Sequence, residues 1–236
     1  MLPTTHTTSS LAEARRLPAL AWLRCATTAW LISAVAALVL VSAALAEAPD
    51  AELSVTPGFA AAGAADLMVA APGVQITTTT SYYAVEGSTW TEVANSLRAD
   101  AAGDWAASTT WQFTTSYPYD VTGRLCRAGP VSVLATINYR LPSWTAPTDA
   151  PPDLIDTWTR FSDGVRVHEA GHRDLAVAAA VALADALRSL PPQPSCAEFE
   201  QLAQSTTADV MRQHDRDQVA YDLGTQHGLT QGAVFG

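Results

Sequence analysis

Three stretches of the chain alternate between apolar and polar residues, which is the pattern of half-buried β-strands. They cover residues 74–85, 111–119 and 131–141 and are rich in Val, Ile, Thr and aromatic residues. Between the first two, apolar residues recur at helical spacing over 88–101, which predicts a short helix. We therefore expect a small antiparallel sheet with one helix between its first two strands.

A long helix is predicted over residues 153–190, which contain no proline and consist mostly of good helix formers. At 100° per residue, Trp158 and other apolar residues share one face with His168 and His172, while charged residues occupy the opposite face. Both histidines should therefore point towards the interior of the domain.

A second helix is predicted from Ser195, because Ser195-Cys196-Ala197-Glu198 is a capping-box pattern. Gly224 is a candidate for its end. Together these elements predict an α+β fold, in which a small antiparallel sheet packs on the long helix and a second helix follows near the C-terminus.

The first 46 residues have the pattern of a signal peptide. Arginines precede an uncharged, mostly apolar run over 26–46 that ends in Ala-Leu-Ala, a small-x-small cleavage pattern. The alternative is an uncleaved membrane tether, since the run is about long enough to cross a bilayer. Either way the protein is expected to be extracytoplasmic, with an Ala/Pro/Gly-rich linker over 47–73 and the domain over 74–236.

Composition narrows the possible functions. The 236 residues are 48% hydrophobic and 15% charged, which suits a globular domain, and the formal charge is -10. The chain has no lysine, so Schiff-base and P-loop chemistry are excluded. An acidic chain without a basic cluster also repels phosphate backbones, so we expect no nucleic-acid partner.

Two cysteines lie in the predicted domain, Cys126 and Cys196. They have no Cys-x-x-Cys spacing for metal or redox chemistry, and the predicted compartment is oxidising. A structural disulfide between them is expected.

The strongest chemical signal is His168-Glu169-Ala170-Gly171-His172 on the long helix. Histidines at i and i+4 can direct their ring nitrogens at one tetrahedral ion, which predicts Zn²⁺. Glu169 can reach a water at such an ion without ligating it and act as the general base. Gly171 permits close approach of another part of the chain.

A catalytic zinc needs a third protein ligand, and the sequence leaves several candidates. We favour His227, because a histidine in a glycine-flanked turn after the second helix can fold back on the first. His214 and Asp217, on the inward face of that helix, are alternatives. Asp222 is another, or else it orients a ligand histidine through its second nitrogen.

In these residues the chain resembles the bacterial secreted zinc-dependent protease family catalogued as domain of unknown function 922. The stretches that carry the resemblance are YAVEG at 83–87, LPSW at 141–144, Trp158, HEAGH at 168–172, YDLGTQHG at 221–228 and QG at 231–232. The resemblance implies a zincin-like arrangement of sheet and helices, and it marks His227 and Tyr221 as site residues. Tyr221 could stabilise an oxyanion through its phenol.

The sequence thus predicts a secreted zinc metallopeptidase acting on a peptide or protein substrate, with His168, His172 and His227 as ligands and Glu169 and Tyr221 as catalytic residues. One alternative is a zinc amidase acting on cell-wall peptide, because the same chemistry serves any amide carbonyl. Another is a non-catalytic secreted module whose zinc is structural, which a fourth protein ligand would indicate.

Overall fold

The computed structural model describes residues 5–10, 65–100 and 106–235, which belong to one compact unit. The described strands are β1 (Thr5–Ser10), β2 (Ala65–Ala71), β3 (Val74–Val85), β4 (Ser108–Ser116), β5 (Tyr119–Thr122), β6 (Leu125–Ala128) and β7 (Ser132–Trp144). The described helices are α1 (Trp90–Asp100), α2 (Pro152–Arg188) and α3 (Cys196–Thr225), followed by a 3-10 turn at Leu229–Gln231.

The main sheet has five strands in the order β1-β4-β7-β3-β2, and β5 pairs with β6 in a separate ribbon. β3 and β7 are parallel, whereas the other neighbours in the sheet are antiparallel. Pro142 is tolerated near the end of β7 because, among the described residues, pairing with β4 stops at Arg140 and no other strand pairs with that edge.

The long helix α2 covers one face of this sheet with two separate apolar clusters. In its first half, Trp158, Phe161 and Val165 pack with the ends of β3 and β7 and with α1. In its second half, alanines and leucines up to Leu187 pack with the middle of the sheet and with Phe199 of α3. The histidine motif lies between the two clusters, where the helix face turns polar.

Several predictions are confirmed. The fold class is α+β, β3 has the predicted bounds, and α2 and α1 differ from the predicted helices by two residues or fewer at each end. The hydroxyl of Ser195 accepts a hydrogen bond from the backbone N–H of Glu198 and caps α3. Cys126 of β6 and Cys196 at the start of α3 form a disulfide.

Two predictions need correction. The sheet is mixed rather than antiparallel, because β7 lies between β3 and β4 and runs parallel to β3. The predicted linker over 47–73 includes β2, which pairs with β3, and the predicted signal peptide over 1–46 includes β1, which pairs with β4.

Part of the N-terminal prediction lies outside the described residues. These do not include 11–64, which hold the apolar run of the predicted signal peptide and most of the predicted linker. Within the part of the chain that is described, no helix is long and apolar enough to span a membrane. The disulfide is consistent with an extracytoplasmic location.

Candidate metal centre

The two motif histidines face each other on the inner side of α2. Because they are four residues apart on a helix, their rings lie one turn apart, and the two Nε2 atoms are 3.1 Å from each other. His168 is buried and His172 is largely so. The ring nitrogens of the two histidines therefore converge, as their spacing predicts.

The third member of the group is Asp222, from the last turn of α3. Its Oδ1 lies 3.3 Å from Nε2 of His168 and 3.0 Å from Nε2 of His172. Burial alone would raise the pKa of Asp222, but the hydrogen bonds and charges of the two histidines hold it well below its usual range. Among the described residues, His168, His172 and Asp222 form the only group of three or more His, Cys, Asp or Glu side chains whose ligand atoms lie close enough together to hold a metal ion.

The Nδ1 atoms of both histidines are held by glutamine side chains. His172 Nδ1 lies 2.5 Å from Oε1 of Gln218, and His168 Nδ1 lies 3.0 Å from Oε1 of Gln231. Each amide also makes a hydrogen bond through its nitrogen: Gln218 Nε2 donates to the carbonyl oxygen of His172, and Gln231 Nε2 donates to the hydroxyl of Tyr221. With these amide orientations each Nδ1 carries a proton, and when the imidazoles are neutral both Nε2 lone pairs face Asp222.

Tyr221 packs both histidines into place. Its ring stacks on His168 with a 5.2 Å centroid separation and meets His172 edge-on. Its hydroxyl donates to the backbone carbonyl of His168, so it is directed at α2 rather than at the two Nε2 atoms. This geometry supports a positioning role for Tyr221, while the oxyanion role stays a prediction.

Two glycines allow these close contacts. A Cβ on Gly171 would lie 2.0 Å from the hydroxyl oxygen of Tyr221, so only glycine fits beneath the phenol. Gly228 has φ +83°, and a Cβ there would lie 3.1 Å from Cγ of His168. The predicted close approach at Gly171 is therefore made by Tyr221.

Glu169 is buried beside the group but does not belong to it. Its Oε2 accepts a hydrogen bond of 2.6 Å from the hydroxyl of Thr109 on β4. Burial raises the pKa of Glu169, although the Thr109 bond and the nearby histidines oppose this shift. The carboxylate is thus fixed next to the candidate ligands by a neighbouring strand.

The other candidate ligands occupy different positions. His227 Nδ1 is 3.7 Å from Oδ1 of Asp222, at the exposed rim of the site, on a backbone with φ 52°. His214 is buried against Trp111 and Phe113 instead of joining the group. Asp217 accepts a hydrogen bond from Gln213 and is also outside the group.

No role was predicted from the sequence for three site residues: Gln218, Gln231 and Thr109. Gln218 had a detectable signal, because it lies four residues after His214 and four before Asp222 on one face of α3. Thr109 looks like any other inward residue of β4. Gln231 lies in the 3-10 turn, whose position the sequence pattern does not define.

Comparison with known families adds to this geometry. The family described as "Bacterial protein of unknown function (DUF922)" matches residues 80–228, more than half of the chain. The chain belongs to this family. The DUF922 match covers the strands from the end of β3 onwards, the histidine motif, Asp222 and His227.

Membership of DUF922 brings no activity with it, since the family's own description leaves its function open. A search of curated proteins and a search of solved structures each gave no match. The geometry of the site is therefore the basis for proposing a function.

Proposed function

We propose that this DUF922 protein is a zinc-dependent metallopeptidase of the extracytoplasmic space, with His168, His172 and Asp222 as the zinc ligands. The observation that carries the proposal is the convergence of two imidazole Nε2 atoms and one carboxylate oxygen within 3.0–3.3 Å of one another. When both imidazoles are neutral and protonated on Nδ1, these three atoms are all acceptors that repel one another, and a cation between them would turn the repulsion into binding. Two histidines and one carboxylate are a donor set suited to a catalytic zinc.

The number of ligands supports catalysis rather than a purely structural role. A structural zinc site is normally closed by four protein ligands, whereas a catalytic site keeps one position open. The described residues bring together three ligand atoms. When bound, a zinc ion would supply Lewis acidity, polarising a carbonyl and lowering the pKa of water.

Glu169 is the proposed general base. Its raised pKa brings its proton affinity closer to that required near neutral pH, and Thr109 holds one oxygen so that the other is free to act. The carboxylate takes a proton from the attacking water and returns it to the leaving amine. Because this chemistry serves any amide, the substrate is proposed as a peptide, with cell-wall peptides included.

One observation favours a second candidate, a secreted module with a structural metal. His227 Nδ1 lies 3.7 Å from Oδ1 of Asp222, close enough for a change of rotamer to add it as a fourth ligand. A zinc held by all four residues would have no open position. In the peptidase Glu169 acts as the general base, whereas in the structural module it has no catalytic role.

The test is Glu169→Gln in the full chain, assayed with zinc on unfolded proteins and cell-wall peptides. The variant should keep its zinc and lose activity about 100- to 10,000-fold, as expected when a positioned base is removed. Asp174→Asn is the matched control, because Asp174 is an exposed carboxylate on the same helix. It should change neither zinc content nor activity.

Equal cleavage by the wild type and Glu169→Gln would reject the proposed mechanism. Zinc-loaded wild type that cleaves nothing, with zinc content that depends on His227, would instead support the structural module.

A further inference from the structure

His214 is a buried histidine in an apolar environment. It is 2% exposed, and its ring meets Trp111 and Phe113 edge-on, with centroids 4.8 and 5.6 Å away. Its Nδ1 is buried and has no hydrogen-bond partner among the described residues. A phenylalanine would fill a similar space without an unsatisfied polar atom, so packing does not explain the histidine.

The other ring nitrogen of His214 has a specific contact. Its Nε2 lies 3.3 Å from Nε2 of Gln218, whose amide can only donate there. His214 must therefore be neutral, with its lone pair on Nε2 and its proton on the partnerless Nδ1. Burial lowers the pKa of His214, which is consistent with the neutral form.

The amide of Gln218 is thereby held at both hydrogens. One N–H donates to the carbonyl oxygen of His172 at 3.2 Å, and the other to Nε2 of His214. With both N–H groups directed at acceptors, Oε1 must face Nδ1 of His172. If the amide of Gln218 were flipped, its oxygen would face the carbonyl oxygen of His172 and the Nε2 lone pair of His214, and both contacts would be repulsive.

We propose that His214 is a positioning residue that, through Gln218, holds His172 in the tautomer whose Nε2 lone pair faces Asp222. The partnerless Nδ1–H of His214 is then the cost of keeping its own Nε2 as an acceptor. The inference rests on the proposed metal site, because the purpose of this tautomer is to offer Nε2 to a cation.

The test compares His214→Phe with His214→Gln in the full chain. Phenylalanine removes the acceptor, whereas the Oε1 of glutamine can replace Nε2 of the imidazole. In metal-free protein, at a pH alkaline enough that the imidazoles are neutral, ¹⁵N NMR of the imidazole nitrogens should show His172 as the Nδ1–H tautomer in the wild type and in His214→Gln. In His214→Phe it should show a mixture. His168 is the internal control, because Gln231 holds it instead.

Zinc affinity is the second readout. It should fall by up to about 10-fold in His214→Phe, the lower end of the loss typical when the direct partner of a ligand is removed, and recover in His214→Gln. The melting temperature should change little in His214→Phe, because the variant loses one unsatisfied buried donor on His214 and creates one on Gln218. If His214 only filled space in the core, His214→Phe would not lower the zinc affinity while leaving the melting temperature nearly unchanged.

An unchanged tautomer of His172 together with unchanged zinc affinity in His214→Phe would overturn the inference. If that variant does not fold, His214→Met removes the acceptor with a more adaptable side chain and gives the same comparison. Wild-type protein that binds no zinc would refute the proposed function, while the tautomer measurement would still decide the role of His214.

Discussion

Gly171→Ala tests how closely Tyr221 packs on the histidine motif. The added Cβ would lie 2.0 Å from the phenol oxygen and 2.2 Å from Cζ, and contacts below 3.0 Å do not persist, so the ring must move by about 1 Å. That movement weakens the stacking of Tyr221 on His168. It also lengthens the hydrogen bond from the phenol to the carbonyl oxygen of His168, which is 3.2 Å in the wild type.

The magnitude follows from two opposing effects. Overpacking of this kind costs about 1–3 kcal/mol, and the weakened hydrogen bond about 1 kcal/mol more. Alanine in place of glycine inside a helix returns about 1 kcal/mol. We expect Gly171→Ala to lower the free energy of unfolding by about 1–3 kcal/mol.

The assay is a double-mutant cycle in denaturant, with chelator present so that metal binding does not contribute. In a Tyr221→Ala background the obstacle is gone, so Gly171→Ala should become neutral or stabilising by up to about 1 kcal/mol. Gly224→Ala is the matched control, because a Cβ there has no atom within 4 Å. A stabilising effect of Gly171→Ala in the wild-type background, or a coupling energy below about 0.5 kcal/mol, would refute the reasoning.

Three further predictions concern the ligands, the base and the disulfide. Removal of a residue that only supports a ligand typically weakens zinc binding about 10- to 100-fold, and Asp222→Asn should weaken it by more than that. His227→Ala should cause a smaller loss than Asp222→Asn. Equal losses of zinc affinity in titrations of the two variants would restore His227 as a ligand. In metal-free protein, Glu169→Gln should raise the melting temperature at neutral pH. Burial places the folded-state pKa of Glu169 above its unfolded value, so the wild type gains stability as the pH falls. The difference in melting temperature between Glu169→Gln and the wild type should therefore shrink in acid. A difference that does not change with pH would contradict the raised pKa. Cys126 and Cys196 should resist thiol reagents until reduced, and reduction should cost about 4 kcal/mol for a sequence separation of 70; free thiols in peptide mapping would argue against the bond.

Local patterns predicted the helices well, because helix periodicity and capping depend on neighbouring residues. Ser195 and the inward face of α2 are examples. The sheet order was not predictable in the same way. Alternation shows that β7 is a strand and which residues face inward, but it does not show that β7 inserts between β3 and β4. β2 was missed because its burial is slight and most of its side chains are exposed.

In the candidate site, too, features that depend on neighbouring residues were predictable and features that depend on the tertiary arrangement were not. The His168–His172 pair depends on one turn of helix and was predictable from spacing alone. The choice between Asp222 and His227 depends on where α3 ends and how the chain then turns. The backbone becomes left-handed at Gln226 and His227, which leaves Asp222 on the face towards α2. Gly224 indicated the end of α3 to within one residue, but no period or motif indicated how the chain turns after it.

The central claim is that one zinc ion binds between His168, His172 and Asp222 with a position left open. Anomalous diffraction at the zinc absorption edge, on crystals of protein never exposed to chelator, tests it most directly. We predict a single peak bonded to Nε2 of both histidines and to a carboxylate oxygen of Asp222, with no fourth protein ligand. A site without a peak, or a peak closed by His227, would contradict the account.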